Sequence, residues 1–410
     1  MFYLYNILTY IAIFFVRLIA LFNQKMKLFV NGRKNTFNKL NQQLSPSDKM
    51  IWIHVASLGE YEQGLPLMEA LRIKYPNYKL LLTFFSPSGY EVKKNNTIAD
   101  VTVYLPMDTI SNVRQFLKIV EPEMVFFIKY EYWPNYLNAL KKENIPTYLV
   151  SGIMRKDQVF FKWYGGFYKK ALQAFTHFFV QNEETLNLLN SLKYTNVTIV
   201  GDTRFDRVSQ ILEQDNKLTF LDAFTENKSV KTIVIGSSWP EDEKLICHYI
   251  NSNTNPNIKF IFAPHNIKQE QIDQLTLNIQ KPVIKHTEYV GQDLTQYNVY
   301  IIDAYSLLTK AYSYATIAYI GGGFGAGIHN ILEAATFSIP IVIGPKYRKF
   351  QEAKDLIKLG GCLVVNNQEE VNKLFDSLLT NDIKRKAIGE IAGHFILKNK
   401  NATQKVIQYL

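Results

Sequence analysis

Glu60 and Glu131 are the acids best placed to do chemistry in this sequence. Each follows an apolar run that reads as a buried strand: residues 50–57 lead into Leu58-Gly59-Glu60, and residues 123–130 end in Lys129-Tyr130. A carboxylate at the mouth of a strand-to-helix turn can take a proton from a bound hydroxyl, or it can simply favour the helix start by its charge. A second group lies in YIGGGFGAGIHNILEAATFSIPIVIGP, residues 319–345. There the pattern predicts a strand ending in Gly321-Gly322-Gly323, a flexible Gly325-Ala326-Gly327, and a helix carrying His329, Asn330 and Glu333. Free N–H groups at such a helix start suit a phosphate, and an acid one turn further in suits ribose hydroxyls. Asn330 and Glu333 are three apart and share a helix face. The glycines do not fit G-x-G-x-x-G, so the dinucleotide fingerprint is absent. Gly322, Gly323, Asn330 and Glu333 are expected to line a nucleotide site, while the glycines on their own also fit a tight turn with close helix–strand packing.

Strands must hold these residues in place. Residues 78–85, 101–106, 145–152 and 177–182 continue the series begun by 50–57 and 123–130. After a polar stretch at 201–229 it restarts with 231–238, 258–265, 298–304, 315–323, 339–345 and 362–365. The runs are continuously apolar, as in parallel sheets covered on both faces. Helical patterns alternate with them, and the one after Glu60 is expected over about 64–74, with Pro66 in its first turn. The reading is an α/β fold of two Rossmann-like domains facing each other across a cleft. Its divisions are a membrane anchor at 1–30, a first domain at 31–205, and a second at 206–410 ending in a basic helical tail. Ligands of open parallel sheets bind beyond the carboxyl ends of the strands. That draws attention to Ser57, Ser86 and Ser88 in the first half, and to Ser237-Ser238, Pro264-His265 and Gly344-Pro345 in the second.

The chain has 410 residues, a hydrophobic content of 47% and a formal net charge of +10. The excess of cations suits an anionic partner: nucleic acid, an acidic membrane surface or a phosphorylated substrate. Two cysteines, Cys247 and Cys362, stand far apart in no metal-ligand spacing, which excludes a disulfide framework and a structural zinc site. Residues 2–22 are apolar apart from Asn6, Thr9, Arg17 and the tyrosine hydroxyls, about the length a helix needs to cross a bilayer. Lys25, Lys27, Arg33, Lys34 and Lys39 come next, which by the positive-inside rule puts the rest of the chain in the cytoplasm. Arg17 counts against spanning, because a mid-helix arginine costs roughly 2.5–3.5 kcal/mol on insertion scales, but near the cytoplasmic end it can snorkel. An interfacial helix lying on the membrane is the alternative.

Taken in order, HVASLGEYEQGLPLMEAL, KYEYWPN, GDTRFDR, GSSWPEDE, GGGFGAGIHNILEAA and IPIVIGP make the chain similar to the 3-deoxy-D-manno-octulosonic acid (Kdo) transferases of lipopolysaccharide synthesis. The resemblance implies a metal-independent GT-B glycosyltransferase without a cofactor. It implies a CMP-Kdo donor, inversion at the Kdo anomeric carbon, and a lipid A precursor (lipid IVA) as acceptor. The site of action would be the cytoplasmic face of the inner membrane. By resemblance Glu60 is the general base for the acceptor hydroxyl, exposed by the glycine before it. Glu131 is the second acid, orienting either the acceptor amino sugar or the base. Ser57, Gly59, Ser86 and Ser88 fall on the acceptor side. Ser237, Ser238, Pro264, His265, Gly322, Gly323, Asn330 and Glu333 fall on the donor side. Arg204 matches a basic position that either supports the donor or braces the domains. Two departures stand out. A Pro-Arg-His run of the family is here Pro264-His265-Asn266, and an arginine carried by some members after Ser-Pro is here Ser88.

His54 and His177 lie inside apolar runs and read as core residues. The stretch 160–170, FFKWYGGFYKK, reads either as a packed helix or as an acceptor- or membrane-facing surface. Other readings of the chain are a GT-B transferase with a different nucleotide sugar, or a non-catalytic lipid-binding protein on the same fold. No basic helix has groove-reading spacing, so nucleic acid is not an expected partner.

Overall fold

The apolar runs become strands. In a computed structural model, which describes residues 1–226 and 230–410, the chain divides into two units: Met1–Arg207 with Lys400–Leu410, and Val208–Asn399. The first contains β1 (Met50–Val55), β2 (Lys79–Phe84), β3 (Val101–Tyr104), β4 (Pro122–Ile128), β5 (Thr147–Gly152), β6 (His177–Val180) and β7 (Val197–Ile199). They form one parallel sheet in the order β3-β2-β1-β4-β5-β6-β7. Both faces are covered. Trp52, Val125 and Phe127 point into one core, and Ile51, Ile53, Phe126 and Ile128 into the other. A strand buried on both sides has no need to alternate apolar with polar, which is why these runs are continuous.

The second unit repeats the plan. Its strands are β8 (Lys231–Ser238), β9 (Ile258–Pro264), β10 (Val283–Lys285), β11 (Val299–Ile301), β12 (Ile317–Ile320), β13 (Ile341–Ile343) and β14 (Cys362–Val364), ordered β10-β11-β9-β8-β12-β13-β14. The three-residue edge strands β7 and β10 carry too short an apolar signal to stand out in the sequence.

Several local expectations change. The helix after β1 is Leu58–Lys74, so it starts six residues earlier than expected and carries Glu60 in its first turn. Pro66 therefore lies in its interior, where it gives up an N–H. The buried Thr203 hydroxyl donates to the Gln63 carbonyl nearby. In the second unit the helix expected to carry His329, Asn330 and Glu333 is only Leu332–Thr336. His329 and Asn330 precede it in the loop.

The last helix, Ala402–Tyr409, belongs with the first unit and not with the second. Ala402 and Val406, four apart, cover Leu67 and Leu71. Asp206 accepts the Thr403 N–H at 2.7 Å. His177 is indeed structural: its ring lies 4.2 Å from that of Tyr409, and its Nε2 lies 2.9 Å from Thr198 Oγ1. Arg33 is not a membrane-facing cation. Its guanidinium donates to the carbonyls of Leu105, Phe29 and Phe85 at 2.9, 3.0 and 2.6 Å and lies over the Phe29 ring. Burial pushes its pKa down to about 9.

Candidate functional site

Each sheet has a place where the chain leaves toward opposite edges: between β1 and β4 in the first unit, and between β8 and β12 in the second. A crevice opens beyond the carboxyl ends of the strands at such a reversal. Glu60 follows β1 and Glu131 follows β4, so the topology brings both acids to the first crevice. Ser237-Ser238 and the triple glycine stand at the second.

Glu60 is not the exposed acid expected of its turn; only 6% of its surface is accessible. The Ser57 hydroxyl donates to one carboxylate oxygen, and Lys129 Nζ lies 3.6 Å from the other. Lys129 itself adopts a left-handed conformation, φ 73°, at the end of β4. Gly59 needs no special backbone: a Cβ there would meet nothing closer than Ser57 Oγ at 3.9 Å. Its bareness leaves room for a ligand beside Glu60. Gly89 is different, because a Cβ would fall 2.8 Å from the Ser57 carbonyl carbon. Glycine at that position lets the turn after β2 lie against the turn after β1, carrying Ser86 and Ser88 with it. Their hydroxyls are 2.9 Å apart.

Glu131 anchors a buried polar relay. It accepts the Trp133 indole N–H at 2.9 Å and lies 3.4 Å from His54 Nε2. His54 Nδ1 is 2.8 Å from Thr83 Oγ1, which also accepts the Trp52 indole N–H at 2.8 Å. With the His54 proton on Nε2, the imidazole donates to Glu131 and accepts from Thr83, and every group has a partner. His54, read as a core residue, is fully buried, yet it also orients an acid at the crevice. The sequence signal was weak: a histidine where every neighbour is apolar.

Arg204 is held within the first unit. Its Nη2 and Nε reach Asp202 Oδ2 at 2.7 and 2.8 Å. Burial would raise the Asp202 pKa, but the Arg204 charge and its hydrogen bonds, with that of Gln63, bring it below the ordinary carboxylate range.

In the second unit the glycine run packs tightly. A Cβ on Gly321 would fall 2.3 Å from the Ser237 carbonyl, and one on Gly323 would fall 2.5 Å from the Gly344 nitrogen. The adjacent strand ends thus touch through backbone. Fewer N–H groups are free than the sequence implied. Gly322 donates to Asp242 at 2.7 Å, and Leu332 N–H is capped by the Asn330 side chain at 3.0 Å. Glu333 accepts from Asn330 Nδ2 at 2.9 Å and from the Thr309 hydroxyl at 2.5 Å. Ser238 is buried, its hydroxyl donating to Glu243 at 2.8 Å. Ser237, with φ 53° and partial exposure, is the more open of the pair.

Trp239, absent from the sequence-derived candidates, joins His265 and His329 in a stack. Its ring lies 4.7 Å from that of His265, the two histidine rings are 4.4 Å apart, and the indole N–H donates to His329 Nε2 at 2.9 Å. Burial, with His265 alongside, lowers the His329 pKa from 6.5 to about 4. Because the folded value is the lower one, the unfolded chain takes up this proton first as pH falls. The stabilising contribution is complete above pH 6.5 and is lost as pH falls toward about 4. His329→Gln should flatten the melting-temperature profile over that window. Parallel profiles for the two proteins would show that His329 carries no such linkage.

Among the described residues, no group of three His, Cys, Asp or Glu is placed to hold a metal. A family model described as 3-deoxy-D-manno-octulosonic-acid transferase (kdotransferase) matches residues 30–207. A 3-deoxy-D-manno-octulosonic acid transferase of Rickettsia felis is 29% identical over 384 residues, covering 91% of this chain and 81% of that protein. Over most of its length the chain is thus similar to Kdo transferases. The namesake enzyme of Haemophilus influenzae is 24% identical over 89% of this chain and 87% of its own length. In fold, the chain is similar to UDP-GlcNAc 2-epimerase from Neisseria meningitidis, with a TM-score of 0.62 and 17% identity over 88% of this chain and 98% of that one. MurG from Acinetobacter baumannii gives a TM-score of 0.52 at 13% identity over the same 88% of this chain and 98% of its own. These likenesses, with two parallel seven-stranded sheets, make the fold GT-B. The chain is a glycosyltransferase of Kdo.

Proposed function

We propose that the enzyme transfers Kdo from CMP-Kdo to a tetraacylated lipid A precursor, lipid IVA, at the cytoplasmic face of the inner membrane. The observation that carries this reading is Glu60, a carboxylate at the winding reversal of the family-matched unit, held by Ser57 and beside Lys129. The acceptor hydroxyl oxygen attacks the Kdo anomeric carbon from the face opposite CMP. The bond to the CMP phosphate breaks with its electron pair, and Glu60 takes the hydroxyl proton. Base assistance of this kind contributes roughly 10²–10⁴-fold. Glu131, fixed by His54 and Trp133, positions the acceptor next to Glu60. Ser57, Gly59, Ser86 and Ser88 line the acceptor side. On the donor side we place Ser237, Ser238, Pro264, His265, Gly322, Gly323, Asn330 and Glu333. Ser238 and Gly322 contribute through backbone position, since the Ser238 hydroxyl and the Gly322 N–H are already engaged. Arg204 braces Asp202.

Pro264-His265-Asn266 lacks the arginine of the family run, which favours a second reading in which the donor is another nucleotide sugar. Lys346 and Arg348 answer this. They come after β13 in an exposed loop whose Lys346 N–H bonds the Gly323 carbonyl at 2.9 Å, so cationic charge stands at the glycine run. Incubation with CMP-Kdo and lipid IVA, with the product read by mass, tests the proposal. A mass increase of one or more Kdo units is expected. Transfer from a different nucleotide sugar in a donor panel, with none from CMP-Kdo, would establish the second reading.

A further inference from the structure

The helix Phe2–Ile19 is long and apolar enough to cross a membrane, and little of it is buried. Its contacts say otherwise about its course. At its start, the Tyr5 hydroxyl donates to Asp108 Oδ2 at 2.6 Å, and the Asn135 amide donates to Asn6 Oδ1 at 3.0 Å. Asp108 and Asn135 are 2% and 5% exposed and belong to the body of the first unit. Backbone N–H groups of Asn135 and Tyr136 hold the Asp108 carboxylate from the other side, both at 3.0 Å. The Tyr5 and Phe167 rings are 5.4 Å apart. Further along, Thr9, Ile13, Val16 and Ala20 are the partly covered positions. From Tyr5 these are spaced four, four, three and four, which is one face of a helix. At its far end the chain turns into the helix Gln24–Lys34, which Arg33 fastens to the carbonyls of Leu105 and Phe85.

We propose that this helix does not cross the bilayer but lies along its cytoplasmic surface, fastened to the first unit at both ends and along one face, with lipid against its outer face. The proposal rests on the membrane association inferred above. A spanning helix of 18 residues would carry Tyr5 and Asn6 about 20 Å or more from its other end, through hydrocarbon. Asp108 and Asn135 would have to go with them, and a carboxylate at membrane depth is strongly disfavoured. The outer face fits a leaflet instead. Tyr3, Ile7, Phe14 and Phe15 are 80%, 56%, 59% and 55% exposed. The exposed Lys25, Lys27 and Lys34 lie beyond it, where anionic headgroups attract them. Arg17, Lys27 and Lys34 rim a groove of about 570 Å³ between the two N-terminal helices, floored by Val16, Phe29 and Val30. Trp163, 95% exposed, stands in the loop just ahead of Phe167, as aromatic anchors do at a membrane interface.

A short Gly-Ser extension with one cysteine ahead of Met1 reports the course of the helix in membrane vesicles of known orientation. Cys247 and Cys362 are buried, and the unextended protein measures their background. A membrane-impermeant maleimide should label the extension in inverted vesicles and not in right-side-out ones. In the same vesicles, Asn6→Cys with Asn135→Cys should be joined by a short bismaleimide. Labelling from the opposite face with no cross-link would overturn the proposal and leave membrane association standing. Recovery of the protein in the soluble fraction after fractionation would overturn both.

Discussion

Glu60→Gln is expected to lower the rate of Kdo transfer by about 10²-fold or more while leaving the fold and CMP binding nearly unchanged. The glutamine keeps an oxygen for the Ser57 hydroxyl, so the first turn of Leu58–Lys74 retains its contact. It loses the charge beside Lys129 and the ability to hold a proton. The expectation therefore separates chemistry from structure. Single-turnover transfer, the melting temperature and CMP affinity by calorimetry should be measured on one preparation. A variant that keeps more than about a tenth of the wild-type rate is incompatible with Glu60 as the base. A variant that loses CMP binding in proportion to its rate would instead make Glu60 a structural acid.

The second large effect is expected at Glu333. Its two oxygens accept from Asn330 and Thr309, so the carboxylate ties the loop after the glycine run to the residues before β12. Removing a charged acceptor of this kind costs about 1.5–3 kcal/mol. Glu333→Ala should therefore weaken CMP binding by roughly 10- to 150-fold. Acceptor affinity should change little, because the acceptor positions lie in the other unit. Thr309→Val gives the comparison, since it removes one loop contact and keeps the carboxylate. Its effect on CMP affinity should be much the smaller of the two. Equal losses would mean that Glu333 acts only by holding the loop. Unchanged CMP affinity in Glu333→Ala would take it out of the nucleotide site.

The strands, and through them the two crevices, were determined by the sequence alone. A doubly covered strand is apolar at most of its positions, so β1, β4, β8 and β12 announce themselves in any reading of the chain. Their carboxyl ends then name Glu60, Glu131, Ser237 and the triple glycine, because backbone connectivity places these residues directly after their strands. Helix starts were less legible. Leu58-Gly59-Glu60 reads as a loop and is a helical turn, since a favourable acid in the first turn offsets a poor former such as glycine. Asn330 reads as helical and instead caps the Leu332 N–H from outside.

Contacts between distant segments were decided by the tertiary structure. His54 meets Glu131 because β1 pairs with β4, and Thr83 because β1 pairs with β2 on its other side. Lys129 approaches Glu60 through a left-handed residue that no apolar pattern encodes. Ala402 and Val406 make an ordinary apolar pair, and only packing shows that they cover Leu67 and Leu71 in the first unit. The N-terminal helix is the sharpest case. Hydropathy measures how much a segment prefers lipid to water, and a helix that crosses a bilayer and one that lies on it can score alike. The proposed surface course rests on Tyr5 on Asp108 and Asn6 on Asn135, hydrogen bonds spanning more than a hundred residues of chain, which form only once the sheet has brought those groups to the same place.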